Sequence, residues 1–560
     1  MYKFVLYFAF LFAITIPSIA RDKYEVRATW LTTLGGMDWP SQKANSPEGI
    51  KRQQEELCHI LDELQAANFN TVLFQTRLRG DVIYPSYLEI FSECLTGKEG
   101  KNPNYDPLQF AIEECHKRGM AIHAWIVTIP IGNKRQIRLL GRKSVVSKQP
   151  SICKQFKGNW YLDPGEPASA TYLSNIVKEI VARYDIDGIH FDYMRYPEHG
   201  KRFPDYQSYR KYGKKRPIDE WRRDNITRIV RSLYTEVKAL KPWVIVSSSP
   251  VGKYSDTKRY RSYGWNAFHE VHQDAQGWLK EGIHDALFPM MYFRDNHFFP
   301  FALDWQENKN KRWIVPGLGI YFLQAKGQEW ALDDIIRQIH FTRNQHFEGQ
   351  AYFRNRFLLH NTKGIWDEIS RNFYLTPAVT PPLTWIDSIA PATPTLISFD
   401  EKAILNSHEP SVTMRWEPSS TQKAGGIYYR IYASNNYPVD TESGENIIKA
   451  CVNDSIYSYA AALPWQKKRF WAITAVDRYG NESLPLECNQ PSSNSLELFD
   501  NKLPHIPAGS QLIIADMTGC ELIRCTHSDT SILKQLSKGT YRISLLSPDG
   551  SKKLIGTLIR

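Results

Sequence analysis

Gly188-Ile189-His190-Phe191-Asp192-Tyr193-Met194-Arg195-Tyr196-Pro197 is the stretch on which the reading of this chain turns. Its first half has the character of a buried parallel strand. Gly188 opens it after Asp187, Ile189 and Phe191 are apolar, and Pro197 lacks the amide donor that a central strand needs. Its end gathers a carboxylate, an imidazole, a guanidinium and two phenols. An isolated aspartate in such a place more often caps a helix or pairs with a neighbour such as Arg195. At the end of a strand in a repeating parallel sheet, the same group is usually part of a site. The choice depends on whether the rest of the chain repeats the pattern.

The pattern repeats. Between residues 24 and 376, β-rich runs at Val26–Leu31, Thr71–Gln75, Ala121–Val127, Gly188–Asp192, Val244–Ser248, Ala286–Tyr292, Trp313–Gly317 and Gly349–Phe353 alternate with helical segments. Helices are predicted at Ile50–Ala67, with Leu57, Ile60, Leu61 and Leu64 on one face, and at Leu108–Arg118, closed by Gly119. Others are predicted at Ala170–Tyr184, Trp221–Leu240 and Asp333–Asn344. Strand then helix, repeated in this way, predicts an α/β fold of the (β/α)8 TIM-barrel type. A doubly wound sheet is the alternative, but no glycine-rich phosphate turn follows the first strand. Prolines at 377, 381, 382, 391 and 394 mark a stiff linker over residues 377–394. Two small all-β domains are expected beyond it, a β-sandwich over 395–489 and a β-rich unit over 490–560. The runs Tyr428–Tyr432 and Trp471–Asp477, with Gly480-Asn481-Glu482-Ser483, resemble the fibronectin type III module. The text IIADMTG and LKQLSKGTYRISLLSPDG resembles the C-terminal sorting domain of the type IX secretion pathway. A further immunoglobulin-like module is the alternative for that unit.

With 560 residues, 42% of them apolar, the chain has material for about two to four domains. The net charge of +11 and pI of about 9.0 favour anionic partners, yet the basic clusters Lys214-Lys215-Arg216 and Lys309–Arg312 accompany no nucleic-acid motif. A solvated basic surface, with no nucleic-acid partner, is the expectation. Lys3, the apolar run Phe4–Pro17 and the small residues of Ser18-Ile19-Ala20 predict a signal peptide over residues 1–20. That run is short for a membrane span, and no later segment is apolar enough. Export to the periplasm, cell surface or exterior is therefore expected, of a protein acting as a monomer. The 8 cysteines lack metal-ligand spacing, so neither a zinc site nor a cofactor is expected.

Each strand end carries polar, charged or aromatic residues. The first ends at Trp30 and Thr32, the second at Gln75, Arg77, Arg79 and Asp81, and the third at His123 and Trp125. The fourth offers His190, Asp192, Tyr193 and Arg195, and the fifth Ser247 and Ser249. The sixth offers Tyr292, Arg294 and Asp295; Tyr321 follows the seventh, and Gln350, Tyr352 and Arg354 lie on the eighth. Aromatic faces for sugar rings, with Arg, His and Gln for hydroxyls and carboxylates, describe a sugar-binding cleft. Arg77, His123, Trp125, His190, Tyr193, Arg195, Tyr292 and Tyr352 are the expected substrate contacts. Glycoside cleavage needs two carboxyl groups flanking the bond. Asp192 is the expected nucleophile or base, Asp295 the first choice of acid and Asp81 the second. Asp163, in Leu162-Asp163-Pro164-Gly165, is expected to shape a turn. His123 and His190 have a plain alternative as core residues, and with an Asp they could in principle hold a metal, as in a polysaccharide deacetylase. A glycan-binding protein without turnover is the remaining alternative.

Several longer stretches together resemble the glycosyl-hydrolase-like family 10 barrel of bacterial envelope proteins. They are VRATWLTTLGGMDWP from Val26, NTVLFQTRLRGDVIYPS from Asn70, LTGKEGKNPNYDPLQFAIEECHKRGMAIHAW from Leu95, WYLDPGEP from Trp160, GIHFDYMRYP from Gly188, Glu220–Ile226, and LFPMMYF from Leu287. The resemblance implies a TIM barrel and hydrolysis of a glycan, peptidoglycan glycan strands among the substrates of relatives. Two departures touch the cleft. Many members carry a second Asp where Tyr193 stands, and Asn-Pro-Tyr where Ile126-Val127-Thr128 follows His-Ala-Trp. The first leaves Asp192 as the single aspartate on its strand end.

Overall fold

A computed structural model describes residues 23–324, 329–402, 411–460, 468–491, 497–500, 503–504, 506, 509–517, 520–527, 530–548 and 552–560. The expected signal peptide at residues 1–20 lies outside them, as do Thr518 and Gly519 of the C-terminal motif. The protein is an α/β fold built on a parallel sheet of nine strands. These are β1 (Val26–Leu31), β2 (Thr71–Arg77), β3 (Ala121–Val127), β4 (Gly188–Asp192), β5 (Ile245–Ser248), β6 (Ala286–Leu287), β7 (Trp313–Ile314), β8 (Gly317–Leu318) and β9 (Gly349–Tyr352), hydrogen-bonded in the order β7-β6-β5-β4-β3-β2-β1-β9-β8. β7 and β8 are two halves of one chain segment. Leu287 pairs with Ile314 at one end of the order, and Gly317 with Ala351 at the other. Pro316 has no amide hydrogen, which breaks that segment into two short strands. Pro289 acts likewise in the run expected to extend to Tyr292, where only Ala286–Leu287 is regular strand and Met290 makes single bridges to Val251 and Gly317.

Helices pack outside the sheet. α1 (Pro47–Ala66) starts where the Ser46 side chain accepts the Gly49 amide and Pro47 presets the first turn, and it buries Leu57, Ile60, Leu61 and Leu64 on the face that their spacing predicts. α2 (Pro107–Lys117) is capped by Asp106, and Gly119 with φ +70° reverses the chain into β3. α3 (Pro167–Arg183), α4 (Ile218–Leu240), α5 (Phe299–Glu307) and α6 (Leu332–Asn344) follow in chain order. The strands are buried on both faces, as parallel strands between helices are. Their alternation separates two cores. Val72, Phe74, Ile122, Ala124, Ile126, Ile189 and Phe191 face the helices, while Val26, Ala28, Trp30, Leu73, Trp125 and Ala351 face inward with Phe288 and Val315.

Beyond the parallel sheet, Thr395–Lys402, Ser411–Glu417 and Ile456–Ala460 form one antiparallel sheet. Ile447–Val452, Ile427–Ser434, Phe470–Asp477 and Leu486–Glu487 form another. A five-stranded sheet runs in the order Glu497–Asp500, Lys552–Ile559, Thr540–Leu546, Gln511–Ala515, Glu521–Cys525. The chain divides into two compact units: Met1–Ala433 with Asp440–Lys467 and Ala472–Leu486, and Ser434–Val439 with Lys468–Trp471 and Glu487–Arg560. Within the first, the segment expected as a linker is held in place. Val379 bridges Tyr24, Leu383 donates its amide to the Tyr479 carbonyl at 2.7 Å, and both Leu383 and Tyr479 belong to the inward-facing core. No described helix is long and apolar enough to cross a membrane.

Asp187, just before β4, accepts hydrogen bonds from the Ile122 amide at 2.9 Å and from Arg478 at 3.3 Å, and pairs with His116 at 2.9 Å. Despite burial, the His116 and Arg478 charges hold its carboxyl down at about 2, and Asp187 in turn raises His116 above the ordinary histidine value against burial. A raised histidine stabilises the fold fully below its unfolded value and loses that contribution as pH rises through the folded one. Asp187→Asn is therefore expected to cost about 1–3 kcal/mol near pH 5. The cost should shrink well above the His116 value, as read by denaturant titration of both proteins at the two pH values.

Candidate active site

Asp192 closes β4. Side chains alternate along the strand, so His190 and Asp192 share the inward face, with His190 deeper and Asp192 at the mouth. The register brings donors to it from both sides. The Trp125 Nε1–H of β3 donates to Asp192 Oδ2 at 3.3 Å, and the Ser249 hydroxyl, just past β5, donates to Oδ1 at 3.0 Å. The Tyr193 amide donates to Oδ1 at 2.8 Å. Burial pushes the Asp192 carboxyl above the ordinary aspartate value, against the opposing pull of these donors and of the Arg195 charge. Tyr193 follows with φ +53°, an uncommon conformation for a non-glycine residue. This turn ends the strand and lifts the ring to the surface, where the Arg195 guanidinium lies 4.8 Å from the ring centre.

A cleft of about 660 Å³ opens over Asp192. Trp125, Tyr193, Arg195 and Tyr292 line it, as the sequence leads one to expect. So do Thr32, Gln75 and Arg79 from other strand ends, and Phe156, Trp160 and Tyr161 from a three-stranded meander inserted after β3 (Pro130–Asn133, Cys153–Phe156, Asn159–Leu162). Among the described residues lining the cleft, the second carboxylate is Glu198, 61% exposed and 3.9 Å from the Arg195 guanidinium. Sequence reading passed over Glu198 because it stands beyond Pro197, off the strand. The Arg195 Nε is buried in the cleft wall without a hydrogen-bond partner in the protein.

The other expected site residues lie elsewhere. Asp295, expected as the acid, sits in a one-turn helix, is 62% exposed and pairs with Arg337 at 3.4 Å; it does not line the cleft. Asp81, the second choice, is turned into the protein. Burial and the nearby Glu89 charge raise its carboxyl to about 6, against the pull of Ser92. Arg77 is wholly buried and holds Glu89 through Nε at 2.7 Å and Nη2 at 2.6 Å, with the Tyr172 hydroxyl donating to the same carboxylate at 2.6 Å. His190 accepts from Trp30 Nε1 at 3.3 Å and pairs through Nδ1 with Ser247 at 2.9 Å, packed edge-on against Phe288. His123 lies beside it in the inward core. Burial lowers both imidazoles, His123 to about 4, so both are neutral core residues beneath the cleft. Tyr352 is buried against Tyr374 and hydrogen-bonded to it at 3.1 Å. No group of three or more metal-ligating side chains converges among the described residues. Asp163 shapes its turn, accepting the Gly165 amide at 2.9 Å.

The family model described as glycosyl hydrolase-like 10 matches residues 25–326, the span that carries all of these strand ends up to β8. The chain belongs to this family. It is similar to the glycosyl hydrolase YngK of Bacillus subtilis, 30% identical over 496 residues that cover 84% of this chain and 95% of that protein. It is also similar to the glycosyl hydrolase DigH of Escherichia coli, 34% identical over 292 residues, 48% of this chain and 65% of that one. Among solved structures, the PgaB (BpsB) glycoside hydrolase domain from Bordetella bronchiseptica superposes with a TM-score of 0.44 at 14% identity, covering 62% of this chain and 98% of that domain.

The placement of Arg77 makes a family member's stability, rather than its ligand affinity, the readout for that residue. Arg77→Met leaves the buried Glu89 carboxyl without its counter-ion, with a loss of about 3–5 kcal/mol expected in a denaturant titration. A variant of unchanged stability would return Arg77 to a role at the cleft.

Proposed function

We propose that this protein is a glycoside hydrolase on a closed (β/α)8 barrel, with Asp192 and Glu198 as its carboxyl pair. The observation that supports this most is the setting of Asp192: a carboxylate at a strand end, facing the cleft, fixed by three donors. It accepts from all three and donates to none, the pattern of an ionised carboxylate, which suits it to attack an anomeric carbon or to activate water. Glu198 at the open rim is assigned delivery of a proton to the leaving oxygen. Trp160, Tyr161 and Tyr292 offer faces to sugar rings, and the unfilled Arg195 Nε offers a polar contact to a substrate oxygen. The substrate class in this reading is a polysaccharide, with peptidoglycan glycan strands first, in keeping with the family. Export through the residue 1–20 signal peptide, a fibronectin-type spacer over 395–489 and a sorting unit over 490–560 complete the picture of a monomeric enzyme working outside the cytoplasm.

The exposure of Glu198 favours a second reading, a glycan-binding protein without turnover, since an acid so open to water is not held for proton transfer. The same variants separate the two. Asp192→Asn and Glu198→Gln should each lower kcat at least about 100-fold on peptidoglycan glycan strands while binding persists. Full turnover in Asp192→Asn would refute the assignment, and binding without product release by the wild type would establish the second reading.

The Ser249 hydroxyl stabilises the charged form of Asp192, so Ser249→Ala should raise that carboxyl further. If ionised Asp192 is needed, the acid limb of the kcat/KM profile moves to higher pH in this variant. A shift confined to the alkaline limb would instead make Asp192 the acid.

A further inference from the structure

A second aromatic feature stands at the same end of the sheet as the cleft, outside its lining. The chain leaving β5 runs through a long loop to a short helix at Ala267–Glu270, and the loop carries Tyr260 and Tyr263. Tyr263 is 72% exposed. Its ring is nonetheless braced, with Tyr260 at 5.8 Å and His297 at 5.9 Å, while Tyr260 packs edge-on against His297 at 5.2 Å. The Lys253 ammonium reaches His297 Nδ1 at 2.7 Å and lies 4.6 Å from the centre of the Phe293 ring. The loop itself is pinned: Asp256 accepts from both the amide and the hydroxyl of Ser262, and the Tyr260 amide donates to the Thr257 hydroxyl at 2.9 Å. Tyr263 takes φ +56° and Gly264 φ +81°, a tight turn that holds the ring outward. A large ring presented to water on an ordered loop loses little freedom when a partner covers it. Tyr87 is more exposed, but the Arg183 guanidinium already lies 5.5 Å from its ring centre.

The position relative to the cleft follows from the chain. β5 neighbours β4, and His297 stands five residues after Tyr292, which lines the cleft, a separation of at most about 18 Å of extended chain. A few sugar units of one glycan strand can span that distance. The face of a phenol ring matches the C–H face of a pyranose.

We propose that Tyr263, braced by Tyr260 and His297, is a distal subsite that stacks on a pyranose ring of the same polysaccharide chain, several units from the bond at Asp192. The occupant is thus a long glycan rather than a short oligosaccharide. This rests on the glycan reading above.

The test uses the full chain and two probes, peptide-stripped peptidoglycan glycan strands and a soluble tetrasaccharide prepared from them. Tyr263→Ala is expected to raise KM and weaken cosedimentation about 3- to 10-fold on the long strands, with the tetrasaccharide unaffected and Tyr263→Phe close to wild type. Unchanged behaviour on the long strands would overturn the subsite. Equal losses on both probes would overturn it too, since they would make Tyr263 part of the cleft. A wild type that neither binds nor cleaves either probe would bring down the glycan reading for these strands, a result distinct from the other two.

Discussion

The hydrogen bond from Ser249 to Asp192 joins the chain ends of β5 and β4, and the site depends on the register that allows it. Ser247 lies opposite His190 and Ser248 opposite Phe191, which brings Ser249 to Asp192; on the other side Trp125 lies opposite His190 and reaches up to the same carboxylate. A slip of one residue would turn Asp192 outward toward the helices and leave Phe191 at the mouth. Register here is secured by burial. Ile189 and Phe191 fill the outer core and cannot be exchanged for His190 and Asp192 without burying charge among aliphatic side chains.

The same economy of buried charge explains which polar residues serve the cleft and which serve the fold. Arg77 and Arg222 are buried, and each is matched to a buried carboxylate, Glu89 and Asp205. Leaving either partner alone would cost several times a typical hydrogen bond. Arg195 differs: it is just as hidden, yet its Nε has no partner within the protein, and Glu198 stands 3.9 Å from its guanidinium. Unfilled donor capacity in a cleft wall is what a polar ligand would complete, and that separates Arg195 from Arg77 and Arg222. Below the cleft, His123 and His190 are kept neutral by burial and behave as packing groups beside Trp30 and Phe288.

Much of the fold was legible in the sequence, because hydrophobic period and helix caps are local. The residues of α1 and β1–β4 stand close to where periodicity puts them, and the departures have local causes too, as with Pro289 and Pro316. Fold-level alternation also placed Trp125, Asp192, Tyr193, Arg195 and Tyr292 at one end of the sheet, where they meet in the cleft. What failed was the assumption that a polar residue near a strand end points into the cleft. Asp295 took the solvent side and Arg337; Asp81 and Arg77 turned into a buried network; Tyr352 turned to Tyr374. Each choice is made by a partner outside the residue's own strand, which the period of that strand does not contain.

By itself, the sequence determined the alternating α/β plan, the course of α1–α4 and α6, and the burial of β4 with Asp192 at its end, since these follow from the period and the backbone preferences of neighbouring residues. Only the tertiary structure decided which carboxyl shares the cleft with Asp192, that Arg195 keeps a free donor in the cleft wall, and which aromatic rings stand in the open. The reason is physical: strand pairing brings together side chains far apart in the chain, and whether a charge faces water, a counter-ion or a cleft is settled only when those neighbours arrive.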